Sequence, residues 1–295
     1  MEITSNILLN HLGINTKYSF KILALVNSEF SETLTFIDDE KYLDEINKNT
    51  NIKGVFCTVE LESKINNAII KYTVDDPRYC FFKLQNHLTD LVILNSVFVS
   101  KIDKSSHISV KAHVSENNVI IGKNCIIEPN VTILADVEIG DNCIIRAGAV
   151  LGVEGFEHKI TSKGILSVKH DGKVIIKNNV HIGSCSTIAK GFRYRNTIIN
   201  DNTKIDNLVH IAHAVIIGEN CLLPASCMIA GSVTLQDNVW IGPNASISSQ
   251  LTVGENSYVT LGSVVTRNVE PNQKVTGNFA VPHITFLENL KRSLK

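Results

Sequence analysis

From Ile199 onward the chain places an aliphatic residue at every sixth position without a break: Ile199, Ile205, Ile211, Ile217, Leu223, Ile229, Leu235, Ile241, Ile247, Val253, Val259 and Val265. The same period runs through Ile121, Ile127, Ile133, Ile139, Ile145 and Leu151, and again through Ile176, Ile182 and Ile188. A helix repeats near 3.6 residues and a strand at 2, so a strict six is neither one continued. It fits a solenoid of short strands and tight turns, in which the aliphatic residue enters a narrow core and about 18 residues close one triangular coil. The next position is often Gly, Asp or Ala, as at Gly122, Gly140, Asp206 and Gly242. Gly, Asn or Asp near each corner is expected to tolerate unusual backbone angles. Four places after the aliphatic residue sits a small apolar one, and Cys125, Cys143, Cys221 and Cys227 fall there. These four cysteines read as buried filler.

The phase breaks twice. Residues 153–173 carry no hexads and read as a loop excursion, the kind of segment in which a rigid scaffold carries function. A one-residue slip falls near residues 192–196. Before about residue 100 the hexads are absent. Apolar runs such as GVFCTVEL alternate there with helical patterns, which predicts a small α/β domain. The expected organisation is an α/β nucleotide-binding domain over 1–100, a repeat domain over 101–270 and a helical tail over 271–295. In the tail, Leu287, Leu290 and Leu294 at 3–4 spacing predict a short amphipathic helix packed on the coil or on a neighbouring subunit.

Bulk properties remove several classes of function. A formal net charge of −1 leaves no basic footprint for nucleic acid. No apolar run approaches the ~20 residues of a membrane-spanning helix. The N-terminus lacks the pattern of an export signal, so a cytoplasmic location is expected. Seven cysteines without a CxxC pair argue against a disulfide framework or a zinc site. His181, His210 and His213 are not spaced as a set of zinc ligands on one face, and no metal or permanently bound cofactor is expected.

One constellation could carry chemistry. His213 stands two places after the interior Ile211 and should project outward. Asp206 lies near the preceding corner, and Gly231 lies one coil further along. The trio offers a base, a carboxylate to fix its tautomer, and a backbone N–H for a developing oxyanion. Acyl transfer from a thioester to an amine needs these parts.

The wording around these residues resembles the UDP-3-O-acylglucosamine N-acyltransferases of lipid A synthesis, within the hexapeptide-repeat transferases. The similar stretches are IDNLVHIAH, IAGS, SCSTIAKG with NTII, and LGVEGFEH. In the N-terminal part, LTFIDDEKYLDEI and VDDPRYCFFKLQNHL resemble further family segments. The resemblance implies that the solenoid is a left-handed parallel β-helix assembled as a homotrimer; with the N-terminal α/β domain and the short C-terminal helix, a mainly β fold is expected. It implies His213 as general base, Asp206 as its partner and Gly231 as oxyanion donor. It implies Phe36 and Tyr42 as rings that sandwich a pyrimidine.

The sequence departs from that family at three points. Gln250 stands where the family has a second histidine, Asp39 stands where it has an asparagine between the two rings, and the helical tail is shorter. These departures favour the related enzymes that move an acyl group from acyl-coenzyme A to the amine of a UDP- or dTDP-linked amino dideoxy sugar, for O-antigen or other surface polysaccharide. The alternative is the lipid A enzyme of lipopolysaccharide biosynthesis, with acyl carrier protein as donor. Lys190, Arg193, Arg195, Arg267 and Lys274 are candidate contacts for the phosphates of coenzyme A.

Overall fold

The structure, a computed structural model, describes residues 2–95, 97–192, 194–277 and 281–293, with the backbone alone for 92–95. Helix α1 (Ser5–Leu12) opens the chain; the Thr4 hydroxyl accepts from Ile7 N–H at its start, and Gly13 ends it at φ 70°. Strands β1 (Ile22–Leu23) and β2 (Thr33–Ile37) follow, then α2 (Leu43–Lys48), β3 (Ile52–Cys57), α3 (Val59–Glu62), β4 (Ile70–Thr73) and α4 (Pro77–Asn95). The four strands form one parallel sheet in chain order. Parallel neighbours cannot be joined by a tight hairpin, and α2 and α3 supply the crossovers after β2 and β3. Helix α4 packs on β2 and β3, with Phe56, Phe81 and Leu84 buried at that contact.

From Lys101–Ile102 the chain winds through three parallel sheets of eight, eight and nine strands. Most strands are two residues long, and the regular coil pairs residues 18 apart, as His210 with Met228 and Ile211 with Ile229. All twelve aliphatic residues from Ile199 to Val265 are buried, as are Cys125, Cys143, Cys221 and Cys227.

The turns bear out the expected unusual angles at Asn and Asp corners and fix their place. The residue in the left-handed region is the third after the aliphatic one, as at Asn124 (φ 54°), Asn142 (φ 58°) and Asn256 (φ 56°). The glycines directly after the aliphatic residue have a different cause. A Cβ at Gly122 would lie 2.7 Å from the Gly140 carbonyl carbon, so the glycine there permits one coil to stack on the next.

Both phase breaks are insertions. Val150 pairs with Thr187, 37 residues on, and Thr187 with His210, 23 residues on. The second adds five residues to a coil, which in a period of six looks like a slip of one. The first insertion carries an antiparallel hairpin, His158–Thr161 with Gly164–Ser167. This hairpin and the residues just after it are tied to the N-terminal unit. Ser162 N–H donates to Asp76 (2.6 Å), Asn86 Nδ2 donates to Ser167 O (2.8 Å), and Lys169 N–H donates to Asn86 Oδ1 (2.8 Å). Val168, Phe192 and Ala214 join the same buried cluster as Phe81, Phe82 and Leu88, so the two units share a core.

Helix α5 (His283–Ser293) buries no residue, and Ile284, Phe286, Leu287 and Leu290 are exposed, so within the chain it does not pack on the coil. Leu294 lies outside the described residues. Among the described residues, no helix is long and apolar enough to cross a membrane.

Candidate active site

A cavity of about 670 Å³ lies where the N-terminal unit, the two insertions and the solenoid meet. From the solenoid it is lined by His213, Gly231, Ser232, Ser249 and Gln250, and from the N-terminal unit by residues including Phe36, Asp38, Tyr42, Arg78 and Phe82. Phe156, Glu157 and Lys159 from the first insertion and Phe192, Tyr194 and Arg195 from the second complete it.

His213 occupies the turn after the strand His210–Ile211, and only 12% of its side chain is exposed. Gly231 lies against it, where a Cβ would fall 2.6 Å from Nε2. The Gly231 amide donates to no acceptor among the described residues, whereas its carbonyl accepts from Gln250 N–H at 3.0 Å. The structure therefore brings these two expected residues together.

Asp206 does not join them, which corrects the expected trio. Three hexads make a coil, so the corner after Ile205 and the corner after Ile211 lie on different edges of the prism, flanking the strand His210–Ile211. The Asp206 carboxylate is turned to its own neighbour, accepting from Asn207 N–H at 2.7 Å, and the residue is exposed.

The carboxylate beside His213 is Glu157. Its Oε2 lies 3.0 Å from Nε2, and Lys159 Nζ pairs with its Oε1. Burial would push the Glu157 carboxyl up, but hydrogen bonds from His213 and Lys159 outweigh it and hold the group at about 2. The Nδ1 atom of His213 is buried and has no hydrogen-bond partner among the described residues. Beside the imidazole, Phe192 is edge-on at 5.5 Å, with His170 and Tyr194 stacked on it at 4.6 and 5.5 Å.

Phe36 and Tyr42 both reach the cavity. Phe36 also rests on Phe81 and Phe82, at centroid distances of 4.8 and 5.7 Å. Asp39 does not line the cavity, a second correction. Its carboxylate caps the turn Glu40–Tyr42 through Lys41 N–H (3.0 Å) and pairs with Lys41 Nζ (3.1 Å). The neighbouring Asp38 lines the cavity instead, bound to Arg78 Nε at 2.8 Å. Gln250 lines the cavity from a left-handed corner (φ 65°).

Of the four candidate phosphate contacts among the described residues, only Arg195 is found on the cavity wall, with its Nε buried and without a hydrogen-bond partner among those residues. Lys190 lies 3.8 Å from Asp136, Lys274 covers the Tyr258 ring at 5.0 Å, and Arg267 is exposed. Arg193 lies outside the described residues. Among the described residues, no three His, Cys, Asp or Glu side chains are grouped to hold a metal ion.

Glu157, Lys159, Asp38 and Arg78 were not singled out by the sequence. The LGVEGFEH resemblance marked the right segment but not the acid. Nothing in the spacing of Glu157 and His213 announces their contact, because an out-of-phase insertion separates them.

The family described as bacterial transferase hexapeptide (six repeats) matches residues 118–152 and 196–231. The hexapeptide repeat of succinyl-transferase matches residues 214–249. The UDP-3-O-acylglucosamine N-acyltransferase of Helicobacter pylori is 30% identical over 230 residues, covering 70% of this chain and 68% of that protein. The protein of the same name from Wolinella succinogenes is 34% identical over 173 residues, covering 58% of this chain and about half (54%) of that one. Among solved structures, the UDP-N-acetylglucosamine acyltransferase from Campylobacter jejuni matches with a TM-score of 0.52 at 24% identity, covering 66% of this chain and 81% of that chain. This last likeness bears on the fold, a left-handed β-helix.

Proposed function

The chain belongs to the hexapeptide-repeat N-acyltransferases related to UDP-3-O-acylglucosamine N-acyltransferase, and on that premise we propose that it acylates the primary amine of a UDP-linked amino sugar in the cytoplasm, with an acyl thioester as donor. The names of its relatives favour UDP-3-O-acylglucosamine as acceptor, for lipid A, over the amino dideoxy sugar expected from the sequence.

One observation carries the reading. A single cavity is lined both by the Phe36 and Tyr42 rings and by His213 and Gly231. Rings of this kind hold a pyrimidine by stacking. His213 takes a proton from the sugar amine as its nitrogen attacks the thioester carbonyl. The Gly231 N–H receives the oxyanion. As the carbon–sulfur bond breaks, the proton passes to the departing thiolate, leaving an amide and a free thiol. An active site shared between neighbouring subunits of a homotrimer is part of this reading.

A second reading rests on Gln250, which reaches the cavity at the position where the resemblance places a histidine. It is transfer from acyl-coenzyme A to a UDP- or dTDP-linked amino dideoxy sugar. A thiol-release assay separates the two: acyl carrier protein and coenzyme A donors are each tested with UDP-3-O-acylglucosamine and with amino dideoxy sugar nucleotides. Release only with the first acceptor supports lipid A chemistry; release only with the others supports the second reading. No release with any amine acceptor sinks both.

A further inference from the structure

The site holds a carboxylate that neither the sequence resemblance nor the proposed function uses. We infer that Glu157, delivered by the first insertion, is the positioning residue for His213, fixing the tautomer and direction of the imidazole. The inference rests on the reading of His213 as the base.

Three observations carry it. Glu157 Oε2 lies 3.0 Å from His213 Nε2, within hydrogen-bond range, and 14% and 12% of the two side chains are exposed. Water competes poorly for such a contact. Second, the candidate that sequence spacing offered, Asp206, is engaged with Asn207 at another edge of the prism. Third, Glu157 is itself held. Lys159 pairs with its other oxygen, and the hairpin that begins one residue later is bonded to Asp76 and Asn86 of the N-terminal unit. A carboxylate fixed on both sides can orient a ring, whereas a mobile one cannot.

The chemistry follows from the contact. An ionised carboxylate only accepts, so Nε2 must carry the hydrogen and donate it to Glu157. The lone pair then lies on Nδ1. That atom is buried with no hydrogen-bond partner among the described residues, so an amine reaches it only when the groups packed over it move aside. When Nδ1 takes the amine proton, the imidazolium that forms is stabilised by the adjacent carboxylate. Glu157 keeps its charge throughout and gains no proton.

The test compares Glu157→Gln, Glu157→Asp, Asp206→Asn and His213→Ala in the full chain, with kcat and KM for the amino sugar measured separately. Glu157→Gln is expected to lower kcat by at least about tenfold with KM nearly unchanged. Glu157→Asp should recover part of the loss, and Asp206→Asn should lose less than Glu157→Gln. If Asp206→Asn loses as much as His213→Ala while Glu157→Gln does not, the inference is overturned and the base reading stands. If His213→Ala turns over normally, the base reading itself fails. A measurement without substitution guards against variants that fail to fold. In protein labelled with ¹⁵N-histidine, the His213 ring should carry its hydrogen on Nε2; a hydrogen held on Nδ1 overturns the inference.

Discussion

Gly231 lies directly over the imidazole of His213, so close that a Cβ at 231 would fall 2.6 Å from Nε2 and 2.7 Å from Cε1. The ring and the backbone amide of Gly231 thus occupy one small volume. Replacing Gly231 with Ala must displace the imidazole. A shift of about 1 Å in a reacting group can cost on the order of a hundredfold in rate. Gly231→Ala is therefore expected to lower kcat by at least about tenfold while UDP binding is kept. Calorimetric titration with UDP alongside steady-state rates checks both halves. An unchanged kcat would remove Gly231 from the site.

His213→Asn removes the proton acceptor and retains a polar group of similar reach. Turnover should fall by at least about a hundredfold with acceptor affinity largely kept. Gln250→Ala should cost less than this. Equal losses would make Gln250 a second essential group.

Phe36 and Tyr42 are read as the nucleotide clamp. Tyr42→Ala should weaken UDP binding by ~1–3 kcal/mol, and Phe36→Ala by a similar amount. Phe36 also supports Phe81 and Phe82, so its variant should lower the melting temperature as well. Unchanged affinity in both variants would place the nucleotide elsewhere.

The carboxyl of Glu157 titrates in the folded chain at about 2, below the ordinary carboxylate range. Its ionised form favours the fold, so this contribution is fully present above the unfolded value of about 4.3 and is lost as pH falls towards about 2. The urea midpoint of the native chain should therefore drop between pH 5 and pH 2.5 more steeply than that of Glu157→Gln. Parallel curves would show that the carboxylate is not held as described.

The solenoid core gives a separate prediction. Ile229 is fully buried and paired in register with Ile211 and Ile247. Ile229→Ala should destabilise the chain by ~2–5 kcal/mol, read from denaturant unfolding.

The solenoid was legible because its constraint is local. Every coil repeats the same demand for an aliphatic residue inside, so twelve positions from Ile199 to Val265 report it independently. His213 and Gly231 were legible for the same reason, since stacking places residues 18 apart in contact. Asp206 was misplaced because counting along the chain does not say which edge of the prism a corner occupies. Asp39 and Asp38 differ by one position, and their partners, Lys41 for the first and Arg78 for the second, separate the one that faces the cavity. Glu157 was out of reach of periodicity, because the 37-residue span from Val150 to Thr187 folds back by contacts with α4 rather than by the repeat.

The coil from Thr187 to His210 holds five extra residues, yet the next step, His210 to Met228, is regular again. Within the solenoid each coil pairs only with those directly above and below it, so the change of register stays where it began. The wall bearing Phe192, Tyr194 and Arg195 is in this sense a cassette: its length and composition can be rewritten in one coil while the register of the others survives. The shape of the cavity can in this way change by insertion and deletion at a single turn, while the aliphatic core of the solenoid is left as it is.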